Sequence, residues 1–417
     1  MANIKYLLVG VMIFALLALP KFGVCQSSTL GKTLYIGGAF SITGPYAADT
    51  VPALSCFEGY AKYVNENKML APWYPDKKFP ADITLEVLWR DDKLRPADAL
   101  PIYEELKAKG MLVFTVTGSP IALALMEKLN EDRMGATSMT SGPYLLSPPK
   151  TTFTITPIYT DSLGAIADWF LASWKKTEKP RVAFLTADNA MGKSIEVPEM
   201  QAYLERIGYE IVGTQYVPLV PSSPPTTQLA WLKKNKVDIA LGVMIHPGVQ
   251  STMKEAVRQN MGSHLEYKIT FGFAYPAHLH YCWSDLGKSG EGLIVAGDFP
   301  TWDESVPGVK FAHDLLKKYH LDERVTTSLV GLPKAMIQVE ALRLALEEVP
   351  LEQLKPVDVL EHGFYRIKNF DTGGLTSTGV TYGPRDVEGL DAVGVDQIKD
   401  GKIVRLGTYP VRGLYKH

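Results

Sequence analysis

The chain has 417 residues, 46% of them hydrophobic and 21% charged, with a formal net charge of -2. That balance holds no basic excess for binding nucleic acid and no acidic tail. The length exceeds one ordinary hydrophobic core, so two lobes are expected.

Residues 1–5 carry one lysine, residues 6–19 form an uncharged apolar run, and Pro20-Lys21 ends it before Gly23-Val24-Cys25. This is the three-part pattern of a secretory signal peptide, assigned to residues 1–25, and it predicts a periplasmic or otherwise extracytoplasmic mature protein. The run falls short of the roughly 20 residues a spanning helix needs, and no later stretch is apolar for long enough to span a bilayer. Cys25 leaves lipoprotein anchoring open, although Val24 is bulkier than the residue usual before a lipidated cysteine. If cleavage follows Cys25, Cys56 and Cys282 remain, far apart in sequence, and they are expected to be isolated thiols.

Thr33-Leu34-Tyr35-Ile36 reads as a short strand. It runs into Gly37-Gly38-Ala39-Phe40-Ser41-Ile42-Thr43-Gly44-Pro45-Tyr46-Ala47-Ala48, and then into a helix on which Phe57, Tyr60, Ala61 and Val64 recur at helical spacing. The small, polar loop therefore lies at the carboxyl end of a strand, where open α/β sheets hold ligands. Further strands are predicted at 83–89, 112–116 and near 135–137, with helices over 96–109 and up to 129. After residues 151–157 the alternation restarts. A helix around 165–174 precedes a strand at 181–185, a loop at 188–192, a helix to 207 and a strand at 209–212. A Pro-rich segment (217–225), a helix ending near 235, a strand at 237–241 and a helix to 260 follow. Such alternation predicts parallel sheets with right-handed crossovers, and two series predict two sheets side by side.

Taken together, these features resemble the type I periplasmic solute-binding proteins of ABC transporters, the branched-chain amino acid receptor (leucine/isoleucine/valine-binding protein) family. The matching residues are the opening loop, Asn65, Asp91-Asp92, Gly118-Ser119, Asp188 with Gly192, and His246-Pro247. Glu291-Gly292-Leu293, the helix from Lys334-Ala335 to Leu346, and Gly379 to Val411, with Val393-Gly394-Val395, as the closing strand pair complete the match. The resemblance implies an α/β fold class, two Rossmann-like lobes with parallel sheets joined by a three-segment hinge near Pro157, Pro300 and Gly379. Lobe 1 would hold residues 28–156 and 300–378, and lobe 2 residues 157–299 and 379–417. It further implies a monomeric receptor that closes on a small molecule and docks on an ABC permease in the membrane. A ligand-sensing module of the same fold is the alternative. No cofactor is implied.

Within that resemblance, Ser119 matches the position that binds a ligand carboxylate, and Met139, Thr140 and Ser141 match a second set of anchors. Helix N-termini add donors and a favourable partial charge there. Serine also caps helices, and one hydroxyl can serve both roles. The second-lobe acid that holds an amino acid's ammonium is matched by Ala274. Aromatic contacts are matched by Met191 and Gly242. Asp49 is the candidate replacement acid, since a buried ammonium without an acidic partner is costly. The ligand is thus expected either to lack an α-ammonium or to be held by a different acid. A roomier apolar pocket with Met191, Phe271, Phe273 and Tyr275 is expected, suited to a hydrophobic amino acid, an aromatic or branched carboxylate, or an amide. His246 is a further cleft candidate. His278, His280 and Cys282 would share a face only on a strand, so no metal site is expected. Asp91-Asp92 reads as a helix-capping turn. No phosphate loop, nucleophile elbow or zinc-helix motif is present, and no enzymatic role is expected.

Overall fold

The structure is a computed structural model and describes residues 32–146, 151–278, 280–297, 299–321, 328–411 and 413. The signal-peptide assignment, Cys25 included, lies outside the described residues. Among these residues no helix is long and apolar enough to cross a membrane.

β1 (Lys32–Phe40) and β2 (Ile83–Asp91) pair in parallel along their whole length. β3 (Phe114–Val116), β4 (Ala136–Ser138) and β5 (Thr152–Phe153) form a second parallel ladder. The two ladders meet edge to edge. A Cβ on Gly38, whose φ is +146°, would stand 2.4 Å from the Thr115 backbone nitrogen. Only glycine lets β1 and β3 approach so closely. The spatial order is therefore β2-β1-β3-β4-β5.

The helices that cover the two halves are α1 (Ala47–Asn67), α2 (Pro96–Ala108), α3 (Ser119–Glu131), α4 (Tyr159–Ser173) and α5 (Ala190–Lys193). They continue with α6 (Pro198–Ile207), α7 (Thr226–Lys234), α8 (His246–Arg258), α9 (His280–Trp283), α10 (Pro307–Lys318) and α11 (Ser328–Leu346). On α1 the expected apolar face is buried, with Phe57, Tyr60 and Val64 fully inside. From α11, the buried Gln338 bridges the seam between the ladders. Its amide nitrogen reaches the Phe114 carbonyl at 2.7 Å and the hydroxyls of Thr115 and Thr137 at 2.8 and 3.0 Å. Its oxygen accepts from the Gly37 N–H at 3.0 Å.

The second half is built on β6 (Arg181–Ala187), β7 (Glu210–Val217), β8 (Ile239–Gly242), β9 (Thr270–Ala274) and β10 (Ile294–Gly297), all mutually parallel. Near the end of the chain, β11 (Thr381–Gly383) and β12 (Asp386–Gly389) make a hairpin, and β13 (Ala392–Lys399) and β14 (Lys402–Pro410) follow. The last pair joins the second sheet in antiparallel fashion, giving the order β14-β13-β10-β9-β8-β6-β7. Strands buried on both faces explain the runs Val182-Ala183-Phe184-Leu185 and Ile239-Ala240-Leu241.

Two expectations change here. The region 379–411 is not one strand pair. The β11–β12 hairpin packs on β5, with the Tyr382 ring 4.8 Å from Phe153 and the Thr154 N–H donating to the Val387 carbonyl at 2.9 Å. Phe271 and Phe273 are not at the carboxyl edge either: they are buried in the core of the second sheet with Ala240, Val295 and Trp283.

α11 also buries Lys334, whose Nζ lies 3.4 Å from the Val330 carbonyl and 5.9 Å from the centre of the Phe299 ring. Burial pulls its pKa down to about 7. Above that pH the unfolded chain holds a proton that the folded chain lacks, so the penalty of burying this amine shrinks as pH rises. Lys334→Met should therefore raise the melting temperature at pH 6 and raise it less at pH 9. Gln338→Leu strands the Gly37 N–H and the Phe114 carbonyl, and urea denaturation should show a loss of about 1–3 kcal/mol.

Candidate functional site

Each half reverses its strand order once, between β1 and β3 in the first and between β6 and β8 in the second. Loops leaving the two strands at such a point diverge to opposite faces and open a crevice at their carboxyl ends. A cavity of about 10 Å³ lies where the two crevices meet. Tyr46 and Asp49 come from the passage after β1, Thr117 from the end of β3, Met139 from the end of β4, and Tyr159 from the start of α4. Met191, after β6, and Tyr275 and Pro276, after β9, close the opposite wall. Two hydrogen bonds cross the cleft: the Tyr46 hydroxyl donates to the Met191 sulfur at 3.3 Å, and the Tyr275 hydroxyl to the Met139 carbonyl at 3.4 Å. The space left is about that of one water molecule. The expected roomier apolar pocket is thus replaced by a cleft filled with tyrosine.

The first loop is clamped from below. Ser41 Oγ and the Leu94 N–H donate to Asp92 Oδ1 at 2.5 and 2.8 Å, and Thr117 Oγ1 reaches Asp92 Oδ2 at 3.4 Å. Thr43 Oγ1 donates to Asp91 at 2.6 Å. Asp91-Asp92 therefore does not cap the next helix, whose first flanking residue is Arg95. It ties the ends of β1 and β3 to the loop that follows β2. Across the cleft, Asn189 Oδ1 accepts from the Gly192 N–H at 3.0 Å. A Cβ on Gly192 would lie 1.9 Å from the Ala187 carbonyl, so only glycine permits the tight turn that presents Met191.

Behind the wall runs a chain of hydroxyls. Ser119 Oγ lies 2.6 Å from Thr140 Oγ1, which lies 2.9 Å from the Tyr159 hydroxyl and 3.2 Å from that of Tyr144. Ser141 Oγ is engaged with Thr156 and Thr154, and its carbonyl accepts from the Tyr159 N–H at 2.9 Å. These three residues are all buried, yet they support the lining instead of forming it.

Of the residues singled out in the sequence, Asp49, Met139 and Met191 share the cavity, and Ser119, Thr140 and Ser141 stand one layer back. Ala274 is the buried last residue of β9, and the two residues after it take the lining position. Gly242 offers no direction for a side chain, because its Cβ would lie 1.8 Å from the Leu185 carbonyl. His246 opens α8, half-buried and outside the lining. Tyr46, Thr117, Tyr159 and Pro276 were not anticipated. Tyr46 alone carried a signal, since it follows Gly44-Pro45 inside the opening loop. His278 is committed elsewhere, its Nε2 2.8 Å from Asp396, which also pairs with Arg405. Residues 280–283 form a helical turn, not the strand a metal site would need, and the His280 side chain lies outside the described residues. Cys56 and Cys282 are both buried thiols. A larger groove of about 610 Å³ beside Trp302 and His313 shares no residue with the cleft.

Asp49 sits in the first turn of α1, 7% exposed, and burial pushes its pKa up to about 7. The folded protein keeps a proton there that the unfolded chain releases near pH 4. The group's stabilising contribution is full below that pH and is lost as pH rises through about 7. Asp49→Asn should raise the melting temperature at pH 8 and change it little at pH 4.

The periplasmic binding protein family profile matches residues 33–360. No curated protein sequence matches the chain. Among solved structures, a branched-chain amino acid ABC transporter protein from Thermus thermophilus with bound valine superposes with a TM-score of 0.80 at 20% identity, over 93% of this chain and 98% of that one. A fatty acid ABC transporter substrate-binding protein from Thermomonospora curvata gives 0.76 at 19% identity, over 92% and 94%. A solute-binding protein from Rhodopseudomonas palustris BisB5 in complex with 3,4-dihydroxybenzoic acid gives 0.71 at 16% identity, over 91% and 98%. With a family match that spans most of its length and with this two-lobed α/β architecture, the chain belongs to the periplasmic binding protein family, in its type I form.

Proposed function

We propose that the protein is the extracytoplasmic substrate-binding component of an ABC transporter, and that it holds a hydrophobic amino acid or a related small carboxylate or amide between two closing lobes. The observation that carries this reading is the cavity between the two strand-order reversals, bridged by Tyr46–Met191 and Tyr275–Met139. Relatives of the same fold that hold valine or 3,4-dihydroxybenzoic acid support a small organic guest. On this reading lobe 1 comprises residues 28–156 and 300–378 and lobe 2 residues 157–299 and 379–417. The packing of the β11–β12 hairpin on β5 favours moving the third crossing to about residue 390.

A ligand with contacts to both walls binds the closed form better than the open one, and that difference drives closure. The closed monomer then docks on a membrane permease. Asp49, Met139 and Met191 act as direct contacts. Ser119, Thr140 and Ser141 act from behind, holding Tyr159 and the end of β4 in place. The protein works by binding and releasing its guest, without breaking bonds.

Denaturing the purified mature protein and analysing the released small molecules by mass spectrometry tests the reading. One organic species in near-stoichiometric amount is expected, and adding it back should compact the stripped protein in solution scattering. Absence of any such species, together with no compaction by any candidate solute, would remove the proposal. Thr140→Val should weaken binding of the released species by about tenfold, read by calorimetry, through the loss of the hydrogen bonds that orient Tyr159.

A further inference from the structure

We infer that the amino edge of the second sheet is a docking face for an anionic phospholipid bilayer. The inference stands apart from the cleft and from whatever guest the cleft holds.

Four segments meet at that edge. Residues 174–180, 233–238 and 266–268 lead into β6, β8 and β9, and residues 399–402 turn β13 into β14. The ladders set their ends side by side, Val182 against Ile239, Ile239 against Thr270 and Lys399 against Lys402. Together they carry nine lysines and four acids, in a chain whose net charge is -2. Lys175, Lys179, Lys233, Lys234, Lys236 and Lys268 are exposed, and none makes an ion pair among the described residues. Lys399 and Lys402 extend the row in the same condition. The acids are better engaged. Asp238 accepts from Lys176 at 3.2 Å and from the Arg181 N–H at 2.9 Å, and Glu266 accepts from the Asn260 amide at 2.7 Å.

The amino edge of the first half treats its cations differently. There Lys32 pairs with Glu352, Arg133 with Glu361, and Lys107 with Asp132 at 2.5 Å. Like charges crowded without partners repel one another and contribute nothing to folding. One base of the molecule neutralises its cations internally, and the other leaves them for an anion outside.

Residue type and layout fit a bilayer better than a folded partner. The four segments hold no arginine, whose planar fork suits a fixed pattern of carboxylates; lysine is a point charge on a flexible stem. From β14 to β6 the row crosses five strand spacings, about 25 Å, the extent of a surface. Aromatic rings accompany it. Lys176 Nζ stands 4.5 Å from the centre of the half-buried Trp174 ring, and Lys233 Nζ 5.8 Å from that of Tyr267. Tryptophan and tyrosine settle at headgroup level, and clustered lysines are drawn to anionic lipid. The cleft opens at the other end of the same strands, so a protein held this way keeps its cleft clear of the lipid.

The test uses the mature protein expressed without residues 1–25, so that no lipid group on Cys25 contributes. It is sedimented with vesicles of phosphatidylcholine alone or with about 30% phosphatidylglycerol. Partitioning onto the anionic vesicles is expected to be about tenfold stronger, and to fall about tenfold between about 50 and 300 mM NaCl as salt screens the charges. Combining Lys233→Glu, Lys234→Glu and Lys236→Glu should weaken it by about tenfold or more. Lys399→Glu with Lys402→Glu, on an exposed turn, should weaken it several-fold. Circular dichroism and melting temperature check that each variant folds. Lys62→Glu, Lys78→Glu and Lys109→Glu together reverse three exposed cations of the first half and change net charge equally, yet should leave partitioning within about twofold. Equal partitioning onto both vesicles, or an equal loss in both triple variants, would overturn the inference. So would binding to poly-L-glutamate without binding to anionic vesicles, which assigns the face to an acidic protein. None of these outcomes touches the receptor reading, whose test is the released guest.

Discussion

A parallel sheet that reverses its strand order leaves one place at its carboxyl edge that no crossover helix covers, and this molecule sets two such places face to face. Almost every unusual residue in the first half serves that geometry. Gly38 brings β1 against Thr115 at the reversal, where any side chain would force the strands apart. Gln338 then satisfies backbone and hydroxyl groups that the seam would otherwise leave buried without partners, a service that one amide can perform because it both donates and accepts. Asp92 does the same for the loop above, gathering Ser41, Thr117 and the Leu94 N–H onto one buried carboxylate. These polar groups are fully engaged in architecture, which leaves the cleft itself to the side chains that project from it.

Those side chains are of two kinds. Met139, Met191 and the tyrosine rings provide soft, polarizable surface that can accommodate a guest. Asp49 and the phenolic oxygens provide directional acceptors, and their placement depends on the hydroxyl chain from Ser119 through Thr140 to Tyr159. Among the described residues, the bonds that cross the cleft are a tyrosine–thioether contact and a long tyrosine–carbonyl contact, both at the weak end of hydrogen-bond geometry.

The alternation of strands and helices and the loop after the first strand were legible in the sequence, because local chemistry, glycines and hydroxyls at a strand exit, determines them. Asp49 and Met191 were reached through the family resemblance, not through local pattern. The second wall was less legible. The cleft lies past the ends of the strands, so a residue inside a strand is core whichever face it takes. That is how Phe271 and Phe273, read as pocket residues, come to be buried within β9, while the lining falls to Tyr275 and Pro276 beyond its end. Whether a hydroxyl lines a cavity or stands a layer behind it, as Ser119 and Ser141 do, depends on the bulk of tyrosines far away in sequence. Tyr159 is one of these, 40 residues beyond Ser119, and no local pattern announces it.

The β11–β12 hairpin gives the chain's last passage an unusual form. Gly389, at φ +79°, ends the hairpin with its α-carbon face pressed toward the Thr154 carbonyl, and β13 begins at Ala392. Leu390 and Asp391 are all that separate a hairpin riveted to one sheet from a strand woven into the other. A tether so short cannot stretch or slacken. Under the proposed lobe assignment, any relative rotation of the two lobes passes through the torsions of these few bonds, which would make this passage a fulcrum and the longer crossings follow its arc.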